Sequence, residues 1–574
     1  MMSDRVIASF KETVAELSGA GGPFALREID FLGRKVKVFG PTPKNLPAAF
    51  TTLEARFAER VFLVEPGKRS LTFAETFSAA RRLAAVLQNI YGVRRGDRVG
   101  IIMRNRPEWF ISFFATQHIG AIAVLFNGRS GPDDLGAAME RVDCRVVVAD
   151  DVRAAVVRQS DSRTPIIMVD DMERPISLPN ATAFEDVLTV STDEAVMVDS
   201  EPDAPAAILF TSGTTGRSKG ATLTHIGLTT LLMSVQFAGA VTQKLEAKEL
   251  GASPAAATTP PPYAALIIFP MFHVGGLLAT LGALNAGGKM VLMRRWRADD
   301  AMQLIAEHQV TGVTGPPLVI EDLLSQPGAS EKLRNVNRVL AGGQAVPLSM
   351  VERVNQVVPH ARQGTGYGAT ETTGIGSGAT GLLFQARPAS CGLPWPITEV
   401  RVVDEAGQEL SNGEIGEFQF RGAHIMRDYW DDPEGTRAAL DDGWYRTGDL
   451  GYRDPDGFLF VVDRRKDMVI SAGENIYSAE IEQVLLQDPA LLEVAMFGVP
   501  DGRLGERAVV AANLRPGEMR TEEQVKARVA AALASYKVPS EVVFDLGPLP
   551  RNATGKVDKR RLRTCYLERN SERA

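Results

Sequence analysis

Ile208-Leu-Phe-Thr-Ser-Gly-Thr-Thr-Gly-Arg-Ser-Lys-Gly220 runs an apolar strand straight into a loop of hydroxyls and glycines that carries one lysine. Glycines let backbone N–H groups approach an anion closely, hydroxyls add freely turning donors, and Lys219 supplies a compact positive charge. The loop therefore suits phosphate. It is not a Walker A loop, because Gly213, Gly216 and Lys219 fall three apart and Gly220 follows the lysine.

Outward from this loop the chain alternates helical and strand patterns. Thr72-x-x-Glu75 is a capping box before the amphipathic run Phe77, Ala80, Leu83, Ala84 and Leu87; Gly92 is a helix stop, and residues 98–103 read as a strand. The rhythm recurs at residues 121–126, 146–149, 165–169, 207–210, 290–293 and 339–341. Such a pattern predicts an α/β fold with largely parallel sheets.

With 574 residues the chain exceeds one ordinary core. After Gly413-Glu-Ile-Gly-Glu417 the pattern turns strand-rich, up to the charged cluster Asp463-Arg-Arg-Lys-Asp467. Beyond it, about a hundred residues carry cores of their own. They read as a helix over 479–486, strands over 494–499 and 508–514, and a helix opened by the capping box Thr521-x-x-Gln524. The expected organisation is an extension over 1–46, a large domain over 47–463, a hinge at 464–467 and a small α+β domain over 468–574.

Composition, 45% hydrophobic and 23% charged with a net charge of −7, is that of a soluble globular protein and gives no basic run for nucleic acid. Cys144, Cys391 and Cys565 lie far apart, with neither metal-ligand nor disulfide spacing, which fits a reducing, cytoplasmic compartment. The N-terminus lacks the apolar core of a secretory signal, and Ser571-Glu-Arg-Ala574 is no lipidation or peroxisomal signal. Residues 263–289 are apolar, but Pro270, His273 and Gly275-Gly276 interrupt them. A buried strand (266–269), a turn and a packed helix (277–284) are expected there, and no transmembrane segment. Residues 244–262, rich in Pro and Ala, predict an exposed, mobile loop.

Six further blocks follow the phosphate loop in order: Pro270-Met-Phe-His-Val-Gly-Gly276, Gly342-Gly-Gln-Ala-Val-Pro347, Thr365-Gly-Tyr-Gly-Ala-Thr-Glu-Thr372, Trp444-Tyr-Arg-Thr-Gly-Asp-Leu450, residues 463–475, and Leu549-Pro-Arg-Asn-Ala-Thr-Gly-Lys556. With them the chain resembles the adenylate-forming (AMP-binding) superfamily, which includes acyl-CoA synthetases, firefly luciferase and the adenylation domains of peptide synthetases. The resemblance spans about residues 53–562.

It implies a large AMP-binding domain and a small mobile lid. Thr211, Ser212, Gly213, Thr214, Thr215, Gly216 and Lys219 would hold the β- and γ-phosphates, and Thr211 and Glu371 would bind Mg²⁺. Gly342, Gly343, Gln344, Tyr367 and Gly368 would line the nucleotide, with Tyr367 against adenine and Thr370 at the α-phosphate. Asp449 and Arg464 would hold the ribose, and Lys466 would stand at the pivot. Lys556 would bridge the substrate carboxylate and the α-phosphate; its loop is too rich in turn formers to be packed, so it is expected charged and mobile. It also matches an acetylation signal of some bacterial relatives, which would neutralise it. After adenylation the small domain would rotate, and Gly473 would line the passage for the thiol.

His273 matches acyl- and aryl-CoA ligases, and no acid beside it could pair with an amino acid's ammonium. Gly368 stands where acetate-specific relatives carry a tryptophan, which implies a larger acid. Ser218 replaces a common proline, which should loosen the turn. The resemblance thus implies ATP-dependent conversion of a medium or long fatty acid, or a bulky cyclic or aromatic acid, to acyl-AMP and then acyl-CoA. Its partners would be the carboxylic acid, ATP and coenzyme A; peripheral membrane contact and homodimerisation stay open. The rival readings are an acyl-AMP ligase that loads a carrier protein and a non-catalytic nucleotide- or acyl-binding module. The latter would have lost Lys219, Glu371 or Lys556, all of which are present.

Overall fold

Runs of apolar residues long enough to be covered on both faces build two sheets in this computed structural model. It describes every residue except 1, 161–162, 171–177, 212–217, 252–262, 545, 552–555 and 572–574. The chain divides into two compact units. One comprises Met1–Val400, Phe420–Arg446 and Asp456–Phe458; the other comprises Arg401–Gln419, Thr447–Pro455 and Leu459–Ala574.

In the first unit, an eight-stranded sheet runs in the order Asp428–Tyr429, Lys219–Thr224, Pro205–Thr211, Ile122–Leu125, Arg98–Ile102, Val146–Asp150, Ile166–Val169, Ala181–Ala183. From Pro205–Thr211 onward every pairing is parallel, while Lys219–Thr224 and Asp428–Tyr429 add an antiparallel edge. A nine-stranded sheet has the parallel centre Arg362–Tyr367, Arg338–Gly342, Gly312–Gly315, Ala264–Ile267, Lys289–Leu292, Val61–Glu65. All residues of Ile122–Leu125 and Val146–Asp150 are buried, as central parallel strands require. The α/β expectation is thereby met. Strands sought at 121–126, 146–149, 165–169, 207–210, 290–293 and 339–341 are all parallel members of these sheets.

Helix Phe73–Asn89 starts at the anticipated box: the Thr72 side chain accepts from the Glu75 N–H, and the Glu75 carboxylate accepts from the Thr72 N–H. Residues 263–289 fold as strand Ala264–Ile267 and helix Val274–Asn285, too short to cross a bilayer. Among the described residues one helix, His225–Leu250, has the length and apolar character of a span, and 67% of its apolar window is buried inside the protein.

That helix corrects one expectation. Residues 244–250 are not loop but its last two turns, closed by Gly251 in the left-handed conformation (φ 66°). Lys244-Leu-Glu-Ala-Lys-Glu-Leu250 is made of good helix formers, and the prolines begin only at Pro254. Residues 252–262 lie outside the described residues. Helix Met2–Ser18 packs along His225–Leu250, and its Val6, Ile7 and Phe10 are buried. Lys244 meets Glu16 at 2.5 Å, an exposed pair that contributes less than the apolar face does, and Arg5 meets Glu249, whose side chain is 8% exposed, at 3.0 Å.

In the second unit the long hairpin Leu491–Asp501 and Gly505–Leu514 is flanked by Val469–Ser471, Glu474–Ile476 and Glu541–Val543. Alternate residues of Leu491–Asp501 face opposite cores. Val494 and Met496 pack with Ile481, Leu485, Val525 and Val529; Phe497 and Val499 pack with Leu549, Leu562 and Tyr566. The box Thr521-x-x-Gln524 opens helix Glu522–Ala532.

Candidate active site: a phosphate corner and a lysine cluster

Strand Pro205–Thr211 ends where the phosphate loop begins, at the carboxyl edge of its parallel sheet, where open α/β sheets bind ligands. Thr211 lies directly opposite Lys219 in the antiparallel pair, so the two close the neck of the loop. Ser212, Gly213, Thr214, Thr215 and Gly216 lie outside the described residues. Ser218, the residue expected to loosen the turn, is bonded across the neck of the loop. Its hydroxyl donates to the Thr211 carbonyl at 3.0 Å, and Arg141 donates to the Ser218 carbonyl at 2.9 Å. A proline could offer no such donor.

Lys219–Thr224 pairs on its other side with Asp428–Tyr429, which brings Tyr429 under the lysine. The Lys219 ammonium lies 4.9 Å from the Tyr429 ring centroid and 3.5 Å from Asp432 Oδ2. The Gly435 N–H, then Lys219, hold the Asp432 carboxyl below its ordinary value. Tyr429 Oη donates to Glu371 Oε1 at 2.7 Å. Burial, then the Glu371 charge, push the Tyr429 hydroxyl well above its ordinary range, so it stays a donor. Glu371 is 7% exposed, in the 3₁₀ turn Thr370–Thr372 that follows strand Arg362–Tyr367 of the other sheet. This hydrogen bond joins the carboxyl ends of the two sheets. Tyr429 and Asp432 escaped the sequence reading; the aromatic and acidic run Asp428-Tyr-Trp-Asp-Asp432 was the available signal.

Mg²⁺ takes six oxygens, usually one or two from protein carboxylates and the rest from phosphates and water. Among the described residues no three His, Cys, Asp or Glu side chains gather as a metal cage. One buried carboxylate, Glu371, and the half-buried Thr211 hydroxyl fit a cation that comes with its nucleotide.

Gly342 ends strand Arg338–Gly342 in register with Gly366, and Gly343 and Gln344 follow it. Tyr367 ends the neighbouring strand, half-buried, with its ring 5.8 Å from Phe420; Thr370 is likewise half-buried. Gly368 has a reason beyond an open pocket. A Cβ there would stand 2.6 Å from the Gly374 carbonyl carbon and 2.7 Å from its oxygen. Gly368→Ala is expected to cost about 1–3 kcal/mol, read as a lower urea midpoint at unchanged slope. His273 caps helix Val274–Asn285: its Nδ1 accepts from the Gly275 N–H at 3.1 Å, and its ring stacks on Phe269.

In the second unit Asp449 and Arg464 are cross-strand partners, with Nε 3.3 Å from Oδ1. The Asp449 side chain is 15% exposed and the Arg464 side chain 46%. Lys466 is exposed in the turn after strand Leu459–Arg464. For Lys556, whose loop is expected to be unpacked, the structure shows partial cover. The lysine is half-buried, and burial, then Arg464, hold its amine down to about 8, with Asp449 opposing and Lys466 adding to the depression. Two of its three charge neighbours are thus the residues expected at the ribose. Gly473 (φ 85°) and Ala472 (φ 52°) form the two-residue turn between Ser471 and Glu474, so backbone conformation alone calls for the glycine.

Residues 50–430 match the family described as AMP-binding enzyme, and residues 480–556 match the AMP-binding enzyme C-terminal domain. A long-chain-fatty-acid–CoA ligase of Bacillus subtilis (strain 168) is 30% identical over 551 residues, 91% of this chain and 95% of the relative. An indoleacetate–CoA ligase of Aromatoleum aromaticum is 33% identical over 511 residues, 86% and 94% of the two chains. The solved structure of o-succinylbenzoate CoA synthetase from Bacillus subtilis with its acyl-adenylate intermediate superposes with a TM-score of 0.74. That structure is 28% identical, covering 89% of this chain and 97% of that one.

Proposed function

This chain belongs to the AMP-binding enzyme family as an ATP-dependent acid:CoA ligase, and from that premise we propose that its acid is a medium- or long-chain fatty acid or a bulky cyclic or aromatic acid. A carboxylate oxygen attacks the α-phosphorus of ATP, forming the acyl–AMP bond as pyrophosphate leaves. The thiol sulfur of coenzyme A then attacks the acyl carbonyl carbon, loses its proton, and AMP leaves.

Both reactants of the first step are anions, so cations and aimed donors govern its rate. Lys219 and the Thr211 hydroxyl hold the outer phosphates, and Glu371 with Thr211 would hold the Mg²⁺ that accompanies the nucleotide. When bound, that ion neutralises phosphate charge. Thr370 contacts the α-phosphate, Tyr367 lies against adenine, and Asp449 with Arg464 holds the ribose. Lys556 bridges the carboxylate and the α-phosphate as charge builds. The observation that carries this reading is the corner in which Lys219, Tyr429 and the buried Glu371 meet at the strand ends. A bulky acid is supported by Met271-Phe-His273, which offers no carboxylate to an ammonium, and by Gly368, which projects no side chain.

Mass spectrometry of reactions with ATP, Mg²⁺ and octanoate, palmitate, 4-coumarate or indole-3-acetate, with and without coenzyme A, tests it. Acyl-AMP alone, converted to acyl-CoA once the thiol is added, is expected. Acyl-AMP that persists with coenzyme A would instead favour a carrier-protein acceptor, and silence from every acid would overturn the substrate class.

The Lys556 amine adds a pH signature. A lysine held down to about 8 loses its proton, and with it the cation that adenylation uses, as pH rises through that value. For acyl-AMP formation, kcat/KM reports the free enzyme and is expected to fall about tenfold per unit above it. An ordinary lysine, near 10.4, would show no loss below about pH 9. Lys556→Arg should flatten the limb, and initial rates without coenzyme A read it.

A further inference from the structure

The loop that carries Lys556 is held at its feet. Leu549 before it and Leu562 after it are both buried in one core cluster with Phe497 and Tyr566. Between them Arg551 bridges to Val557, and the Asp558 N–H donates to the Pro550 carbonyl at 2.7 Å. Helix Lys559–Ser571 then begins, three residues beyond Lys556. Its first side chain turns inward: the Lys559 ammonium lies 2.7 Å from Glu482 Oε1 and donates to Ser478 Oγ at 2.5 Å. Ser478 Oγ in turn donates to Asp463 Oδ1 at 3.0 Å, and the Ser478 and Ala479 N–H groups donate to Asp463 Oδ2. Glu482 Oε1 also accepts from the Met496 N–H at 2.7 Å.

Lys559 and Glu482 keep only 16% and 20% of their side-chain exposure, and Asp463 is 5% exposed. Burial pushes both carboxyls up, and the Lys559 charge opposes this most strongly in each. Two buried acids would repel without it. Asp463 immediately precedes Arg464, the partner of Asp449. One ammonium therefore ties the strand that ends in Arg464 to the helix that starts three residues after Lys556.

We propose that Lys559, clamped between Glu482 and the Ser478–Asp463 pair, is a positioning residue that fixes where the Lys556 amine stands relative to Arg464 and Asp449. A clamp of this kind serves the half-reaction that uses Lys556, so the inference rests on the adenylation role given to that lysine. It acts through geometry, because misplacing a reacting group by an ångström costs about a hundredfold.

Lys559→Met, Lys559→Arg and Glu482→Gln test it in the full chain with two readouts. In the first, octanoate and 4-coumarate with ATP report acyl-AMP formation, and supplied octanoyl-AMP with coenzyme A reports the thioester step. Lys559→Met is expected to lower acyl-AMP formation by about tenfold or more with the thioester step within about twofold. Lys559→Arg should restore most of the loss, and Glu482→Gln should fall between. In the second, competitive labelling with acetic anhydride, followed by mass spectrometry, reads the Lys556 amine without any substrate. Its apparent pKa is expected to rise by about one unit or more in Lys559→Met, as water reaches an amine no longer held in place.

Equal loss of both half-reactions in Lys559→Met, or unchanged acyl-AMP formation with unchanged Lys556 labelling, would overturn the proposal. If wild type makes no acyl-AMP from either acid, palmitate and indole-3-acetate take their place; if all four are silent the acid class fails and the labelling shift decides the clamp by itself. Should Lys559→Met not fold, Lys559→Arg and Glu482→Gln carry the same comparison.

Discussion

Lys556→Ala is expected to lower acyl-AMP formation by about 10²- to 10³-fold, the loss found when one aimed donor leaves a reacting centre. Conversion of supplied octanoyl-AMP and coenzyme A to octanoyl-CoA should stay within about twofold of wild type, because no anion attacks phosphorus in that step. Rapid-quench measurement of each half-reaction checks the pair. The physical basis lies in the second unit: the amine is half-buried beside Arg464 and Asp449, and desolvation strengthens its interaction with an incoming anion. Equal damage to both steps would make Lys556 a structural lysine.

Glu371→Gln should cost the same half-reaction about a hundredfold, recovered in part at high Mg²⁺. The amide keeps an acceptor for Tyr429 Oη, now 2.7 Å from Glu371 Oε1, and keeps side-chain volume, so only the charge is lost. Tyr429→Phe removes one hydrogen bond to a charged group, worth about tenfold, and leaves the carboxylate. Mg²⁺ titration of acyl-AMP formation separates them. A large rise in the half-saturating concentration is expected for Glu371→Gln and a small one for Tyr429→Phe. An unchanged Mg²⁺ dependence in Glu371→Gln would remove Glu371 from the metal.

Local signals served well where the physics is local. The boxes at Thr72 and Thr521 were legible because a capping side chain bonds the backbone three residues away. Strands such as Val146–Asp150 were legible because a strand buried on both faces must be apolar throughout. Residues 244–250 were misread because the prolines further on coloured the whole segment, whereas helix formation depends on the residues within each turn.

The candidate site divides the same way. Lys219 can be named from a run of glycines and hydroxyls that suits phosphate, and Glu371, Asp449 and Lys556 from the motifs that carry the family resemblance. Tyr429 could not, for it gains its place from a strand pairing with Ala221, more than two hundred residues earlier. Nor could the depressed Lys556 amine, since proton affinity follows burial and neighbouring charge, and Arg464 and Asp449 come from a distant hairpin. The amino-acid order by itself determined the α/β class, the family and the chemical groups on hand. Tertiary structure alone decided which of those groups meet and in what charge state, because both depend on distance and solvation across segments that chain order does not bring together.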